Sequence, residues 1–332
     1  MHPVMPRRWR LIAASGVSAL VLTACGATGT SSPASTSSQS PSPSPSPNVG
    51  PVAKPPAEAL IVTGPGPLSL AATLESVWVE LHRSDRVARI DPGTNQQVEV
   101  LGVPSHCTIA ASDENVWATI ANRSLVTHFA ASTGEVIESF DVPDACGLAV
   151  DGDTAWVTSP GEGAVYVLQA GLAEPTRRII VAPMIFDIFL DETTVWLTSE
   201  SGGGVLWRID RATYEVTRVG EFPGVGADPS EIAFGSLWLM SRPRGYLWKV
   251  DPPDGSILGQ LDLNQPSGAV AVGDALWITL YGGTLLELDP ETLEVRSEQR
   301  LQYGSLGPPL HAFGSLWISA LENNVVLRIP VD

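Results

Sequence analysis

"GSLWIS" at residues 314–319 and "GSLWLM" at 235–240 are near copies of one another. Such an echo points to a repeat, and a fixed period of a few tens of residues decides a fold. Short apolar segments centred on a tryptophan recur as SVWVE (Trp78), NVWAT (Trp117), TAWVT (Trp156), TVWLT (Trp196), SLWLM (Trp238), ALWIT (Trp277) and SLWIS (Trp317). Their spacings are 39, 39, 40, 42, 39 and 40 residues, so seven of the ten tryptophans keep one period.

The copy at 267–299, SGAVAVGDALWITLYGGTLLELDPETLEVRSEQ, shows what one period contains. Four runs of strand length, a to d (GAVAV, ALWITL, TLLELD, LEVRSEQ), are separated by Gly-Asp, Tyr-Gly-Gly and Pro-Glu-Thr. Val, Ile, Leu and Trp in the runs, with turn formers at the joins, predict an antiparallel meander. An Asp ends strand c in several copies (Asp91, Asp210, Asp251, Asp289), and its recurrence at a turn reads as a cap on the c–d turn. A meander this small has no core of its own and stacks radially on its copies, which is the β-propeller arrangement. The expected fold is therefore all-β: a seven-bladed propeller of four-stranded antiparallel blades, with the tryptophans filling the space between blades. After Trp317 only strand c remains, and ALIVTG at 59–64 is a spare strand at the other end of the repeat. Residues 59–63 are expected to complete the last blade and close the ring, which removes an exposed edge.

This topology puts the d–a and b–c connections on one face and the a–b and c–d turns on the other. The first set varies between copies, and binding residues of rigid scaffolds usually lie on such loops. The candidates there are His106, Asp187, Glu231 and His311, with Arg242, Arg244 and Tyr281 further out. The candidate cofactor is a divalent cation such as Mg²⁺ shared by Asp187 and Glu231, although no complete metal-ligand set is assigned. His128 stands at the strand-c position occupied elsewhere by Arg89, Arg208, Lys249 and Arg328, which predicts an exposed side chain. Cys107 and Cys146 are 39 residues apart, at the same place in adjacent copies. Outside the cytoplasm they can form a disulfide tying two inner strands together, the alternative being two buried thiols too distant to join.

The stretch ADPSEIAFGSLWLM (227–240) followed by GYLWKVDPPDG (245–255) resembles the virginiamycin B lyase-like and YVTN-type seven-bladed propellers. The resemblance extends over 59–332 and rests on structural motifs, so it speaks to fold more than to activity. The lyase resemblance implies metal-assisted elimination opening a cyclic depsipeptide, with a histidine base and acidic metal ligands at the channel mouth. His311, Glu231 and Asp187 are the residues offered for those roles, but no second histidine with an acidic partner stands at matching spacing. The chain also lacks Gly-x-Ser-x-Gly, His-Glu-x-x-His, paired Cys-x-x-Cys and a phosphate-cradling glycine loop before a helix.

The N-terminal end carries different information. MHPVMPRRWRLIAASGVSALVLTACG has a basic start (Arg7, Arg8, Arg10) and an apolar run too short for a membrane span, the pattern of an export signal. Its close, LTAC before Gly26, resembles the lipobox of bacterial lipoproteins. The expectation is a signal peptide over 1–24, a lipid-bearing Cys25 and a Ser/Pro-rich disordered linker to residue 57, ahead of the propeller at 58–332. The export route is left open between the general secretory and twin-arginine pathways.

The chain has 19 Lys plus Arg against 36 Asp plus Glu, a net charge of −17, which repels nucleic acid and anionic lipid. The sequence thus describes a monomeric, lipid-anchored extracytoplasmic protein that binds a small molecule or an envelope protein. The alternatives are a metal-dependent lyase or hydrolase and an envelope scaffold.

Overall fold

The computed structural model describes residues 59–84, 86–102 and 107–331. The signal peptide, Cys25, the linker and His106 lie outside the described residues. Among the described residues, 28 strands form seven four-stranded antiparallel sheets. Blade 1 comprises Pro67–Ala72, Val77–Leu81, Arg86–Asp91 and Gln96–Leu101, strands a to d in order. Blade 2 comprises Ile109–Ala111, Asn115–Ile120, Leu125–Ala130 and Val136–Asp141. Blade 3 has Leu148–Asp151, Thr154–Ser159, Ala164–Gln169 and Arg177–Ile180, and blade 4 has Ile185–Leu190, Thr194–Ser199, Val205–Asp210 and Val216–Glu221. Blade 5 has Glu231–Ala233, Ser236–Ser241, Tyr246–Val250 and Ile257–Asp262, and blade 6 has Pro266–Val272, Ala275–Leu280, Thr284–Leu288 and Val295–Arg300. Blade 7 takes Leu306–Ala312, Ser315–Ala320 and Val325–Pro330 from the C-terminal end and Ala59–Val62 as its outer strand, paired Ala59 with Arg328 through Val62 with Val325. The a strands of successive blades touch in turn, from blade 1 to blade 7 and back to blade 1, so they form the inner ring.

The apolar core lies between blades. Seven buried clusters occupy the seven junctions among the described residues. In the junction of blades 7 and 1, Ile61, Trp317 and Val326 pack on Val77, Val79, Leu81, Ala88 and Ile90. Four of the repeated tryptophans (Trp78, Trp117, Trp238, Trp317) are wholly buried. Two polar devices recur beside this packing. On strand b, two residues past the tryptophan, a hydroxyl donates to a backbone carbonyl of the next blade: Thr119 to Cys146 O (2.7 Å), Thr158 to Phe186 O (3.2 Å), Thr198 to Gly226 O (2.5 Å), Thr279 to Gly307 O (2.9 Å) and Ser319 to Leu68 O (2.7 Å). On strand c, a cation lies over the tryptophan of its own blade, with Arg89, Lys249 and Arg328 at 5.7, 5.6 and 4.9 Å from the ring centroids of Trp78, Trp238 and Trp317. These cations also donate to carbonyls in the c–d turn of the next blade: Arg89 to Ser132 (2.9 Å), Lys249 to Pro290 (2.7 Å) and Arg328 to Pro92 (2.6 Å).

Close approach explains one glycine. A Cβ on Gly147 would stand 1.9 Å from the Phe186 carbonyl, because strand a of blade 3 enters against the backbone of blade 4. The c–d turns are capped as the sequence implies: Asp91, Asp210 and Asp289 each accept two backbone N–H groups of their own turns.

His128 corrects the sequence reading. Far from being exposed, it is 2% accessible, because the strand-c position it shares with the cations is roofed by the neighbouring blade and floored by a tryptophan. Its imidazole stacks on Trp117 with centroids 4.2 Å apart and planes within 7°.

Candidate functional site at the mouth between blades 4 and 5

Strand a of blade 4 enters the ring with a bulge between Ile185 and Asp187, after which Asp187 pairs with Thr198. In blade 6 the residue opposite the corresponding threonine is Gly268, and in blade 3 Gly147 accepts from the Thr158 N–H at the same place. Asp187 therefore brings a carboxylate to a position that is glycine in blades 3 and 6. In blade 5, Glu231 pairs with Trp238. The residues opposite the repeated tryptophan in the other six blades are Ala71, Ala110, Ala149, Phe189, Val270 and Leu310. All are apolar, and Glu231 is the single departure. The registers of Asp187 and Glu231 differ by two residues, which leaves both on the same side of their strands at two depths.

The two acids are part-buried. Burial pushes the Asp187 carboxyl up to about 7, against the pull of the Ser230 backbone N–H, which donates to its Oδ2 at 2.9 Å. Burial also pushes Glu231 up to about 7, and the neighbouring charge of Asp187 adds to the rise. The Glu231 carboxylate has no hydrogen-bond or ion-pair partner among the described residues.

A third acid sits in the same loop. Burial raises Asp228 as well, while Arg242 opposes the rise: its backbone N–H donates to Asp228 Oδ2 at 2.6 Å and its Nε lies 3.2 Å from Oδ1. The Arg242 guanidinium stands over the Tyr281 ring, 5.4 Å from its centroid. Arg242 is thus held by Asp228 and Tyr281, and does not pair with Asp187 or Glu231. The loop after strand b of blade 5 continues through exposed Arg244 into a groove of about 460 Å³ bounded by Arg242, Pro243, Leu263, Asn264 and Gln265.

Of the residues singled out in the sequence, Asp187 and Glu231 come together, and Arg242 and Tyr281 come together beside Asp228, which sequence reasoning passed over. The signal for Asp228 was its place in ADPSE, three residues ahead of Glu231. His311 is not part of the group. The sequence reading puts His311 near the start of strand a of blade 7, whereas the strand runs Leu306–Ala312 and accommodates Pro308 and Pro309 at a bulge. An inner strand has a free edge that needs no N–H, so proline is tolerated there. His311 pairs with Leu316 beside the a–b turn, exposed on the face opposite the mouth.

Two further features lie on the mouth face. Cys107 and Cys146 are joined by a disulfide with Cα atoms 5.1 Å apart, tying blade 2 to blade 3. Glu80 is the residue of blade 1 that stands where five other blades place a hydroxyl. It is wholly buried, with Oε1 3.3 Å from His82 Nδ1 and no partner for Oε2.

Among the described residues no group of three or more His, Cys, Asp or Glu side chains converges as a metal site. The described residues thus show no complete metal centre of the kind that the lyase resemblance implies.

The fold and site define a seven-bladed β-propeller with an acidic mouth. No family model matches the chain, and no curated protein matches its sequence. Among solved structures it is similar to virginiamycin B lyase from Staphylococcus aureus, at 14% identity over 80% of this chain and 95% of the other, with a TM-score of 0.66. It is also similar to BamB from Moraxella catarrhalis (15% identity, 80% and 83% of the two chains, TM-score 0.61) and to the computationally designed Ika8 protein (10%, 81% and 98%, TM-score 0.64). At these identities the likeness is one of fold.

Proposed function

We propose that the protein is an exported, lipid-anchored binding protein whose propeller takes a ligand at the mouth between blades 4 and 5. The observation that carries this reading is Glu231: an ionisable, part-buried side chain, without a partner among the described residues, at a position that is apolar in all six other blades. With Asp187 beside it, the site holds two carboxyls poised near neutrality, able to accept a cationic group when ionised and to donate a hydrogen bond when protonated. The ligand class that answers this chemistry is a small molecule or partner-protein segment presenting an ammonium or other donor group. Arg244, exposed on the loop after strand b of blade 5, suits an acidic or carbonyl group on the same ligand. The export signal and lipobox of the sequence support the extracytoplasmic, membrane-anchored setting.

Thermal unfolding of the purified protein against panels of amines, peptides, sugars, lactones and divalent cations tests the proposal. A ligand at a hundred times its Kd adds about 2.7 kcal/mol, which raises the midpoint by about 5–10 °C in a domain of this size. The shift is expected to strengthen as pH rises through 7 and to vanish in Glu231→Ala. A ligand whose shift survives Glu231→Ala and Asp187→Ala places binding elsewhere and removes the reading.

A further inference from the structure

The strand-c cations hold neighbouring blades together with side chains charged at every accessible pH: Arg89, Arg208, Lys249 and Arg328 all donate to c–d turn carbonyls of the next blade. Blade 2 alone puts histidine at this position. Its contacts are different in kind. Nδ1 lies 2.9 Å from Glu138 Oε1, on strand d of the same blade, and that oxygen also receives the Gly171 N–H of blade 3 at 2.9 Å. Nε2 lies 2.9 Å from Asn115 Oδ1, while Asn115 Nδ2 donates to Asp153 Oδ1 of blade 3 at 2.8 Å.

The orientation of Asn115 is fixed by this chain. Were the amide reversed, its oxygen would face the Asp153 carboxylate, so the amide oxygen must face His128. Both ring nitrogens then meet oxygen acceptors, and both must donate. Trp117 beneath the ring is the aromatic partner a cation takes in three other blades. The charged and titratable groups facing the imidazole are Glu138 from strand d and, through Asn115 of strand b, Asp153 from the a–b turn of blade 3. From blade 1, Arg89 reaches the Ala131 and Ser132 carbonyls of the adjoining turn and does not contact the ring.

We infer that His128 is a proton-operated staple between blades 2 and 3. With a proton on both nitrogens it does what arginine or lysine does elsewhere, through Glu138 to Gly171 and through Asn115 to Asp153. On losing one proton it presents a lone pair to an acceptor oxygen, and Glu138 or Asn115 loses the donor that orients it toward blade 3. The Cys107–Cys146 disulfide joins the same two blades on the opposite face, so loss of that donor loosens the turn-side edge while the mouth side stays tied.

Two measurements on the purified full chain test the inference. The first is ring ¹⁵N NMR of histidine-labelled protein, with the His128 signals assigned by their absence from His128→Phe. Both nitrogens of that residue are expected to carry protons at pH 6, and a single neutral tautomer there overturns the inference. The second is the gap in unfolding midpoint between wild type and His128→Phe, which keeps the stacking and removes both donors. The gap is expected to be about 4–8 °C at pH 6 and to narrow by half or more at pH 9, because a neutral ring can donate to only one of its two acceptor oxygens. An equal gap at the two pH values overturns the inference. Comparing with the variant at each pH cancels the contribution of Asp187 and Glu231, which both proteins share. Should the variant fail to fold, the NMR result on wild type decides alone.

Discussion

Replacing Asp187 by asparagine should make the protein more stable above neutral pH. The carboxyl ionises near 3.8 in the unfolded chain and near 7 in the folded one, with burial the main cause. Below pH 4 both states hold the proton and the residue contributes nothing to pH dependence. Between about 4 and 7 the unfolded chain gives up its proton while the folded state keeps it, so stability falls as pH rises through this window, with the full penalty present above 7. Each unit is about 1.36 kcal/mol, which sets a ceiling of about 4 kcal/mol. The side chain keeps an opening to solvent, and about 2 kcal/mol is the more realistic expectation. Asparagine is nearly isosteric and its Oδ1 can still accept the Ser230 N–H. Urea unfolding at pH 4 and pH 8 should therefore show the two proteins alike at the lower pH and Asp187→Asn ahead by about 2 kcal/mol, or about 4–8 °C in Tm, at the higher. Glu231→Gln should behave likewise, and the double variant should gain less than the sum, since each acid raises the cost of the other. A variant that is less stable at pH 8, or that gains equally at both pH values, would refute the claim that the mouth holds acids against their solvation preference.

Other outcomes follow from the devices between blades. Thr158→Val removes the hydroxyl that bonds the Phe186 carbonyl and accepts the Gly147 N–H at 2.7 Å, and should cost about 1–3 kcal/mol in urea unfolding because both groups are left buried and unpaired. Gly147→Ala forces a Cβ into the Phe186 carbonyl and should cost more than Thr158→Val, or fail to yield folded protein by circular dichroism. Reduction of Cys107–Cys146, which encloses a separation of 39 residues, should cost about 3–4 kcal/mol and leave ligand binding at Glu231 unaltered, measured by comparing denaturation and thermal shift with and without reductant.

The blade count, the strand boundaries and the interblade place of the tryptophans were legible because each rests on local pattern repeated seven times. Alternation and turn residues state where strands lie, and the missing strand d after Trp317 states where the ring closes. The errors came where one blade uses a residue unlike its counterparts. His311 read as a mouth residue at the start of strand a, whereas that strand starts earlier, at Leu306, and carries Pro308 and Pro309 at a bulge on the edge that borders the channel. His128 read as exposed because charged residues at that position usually are, while stacking on tryptophan and roofing by the next blade are properties of the assembled ring. Asp187 and Glu231 were legible as candidates, but not as neighbours in different registers, since the bulge at Ile185 leaves no mark in the sequence.

In a ring of equivalent blades, six copies show what packing requires at a position, and a seventh that departs from them toward a costlier residue is not explained by packing. Met240, at the hydroxyl position of blade 5, departs cheaply, replacing a hydrogen bond with apolar contact in the cluster between blades 5 and 6. Glu231 departs at a cost, bringing a carboxylate with no partner among the described residues to an otherwise apolar place beside a second acid, Asp187. His128 departs toward a weaker cation, in a setting where four blades use a permanent one. The first substitution is neutral for the ring. The second lowers its stability as pH rises toward 7, and that conditional cost is what a binding site requires; the third is the departure on which the proposed staple rests.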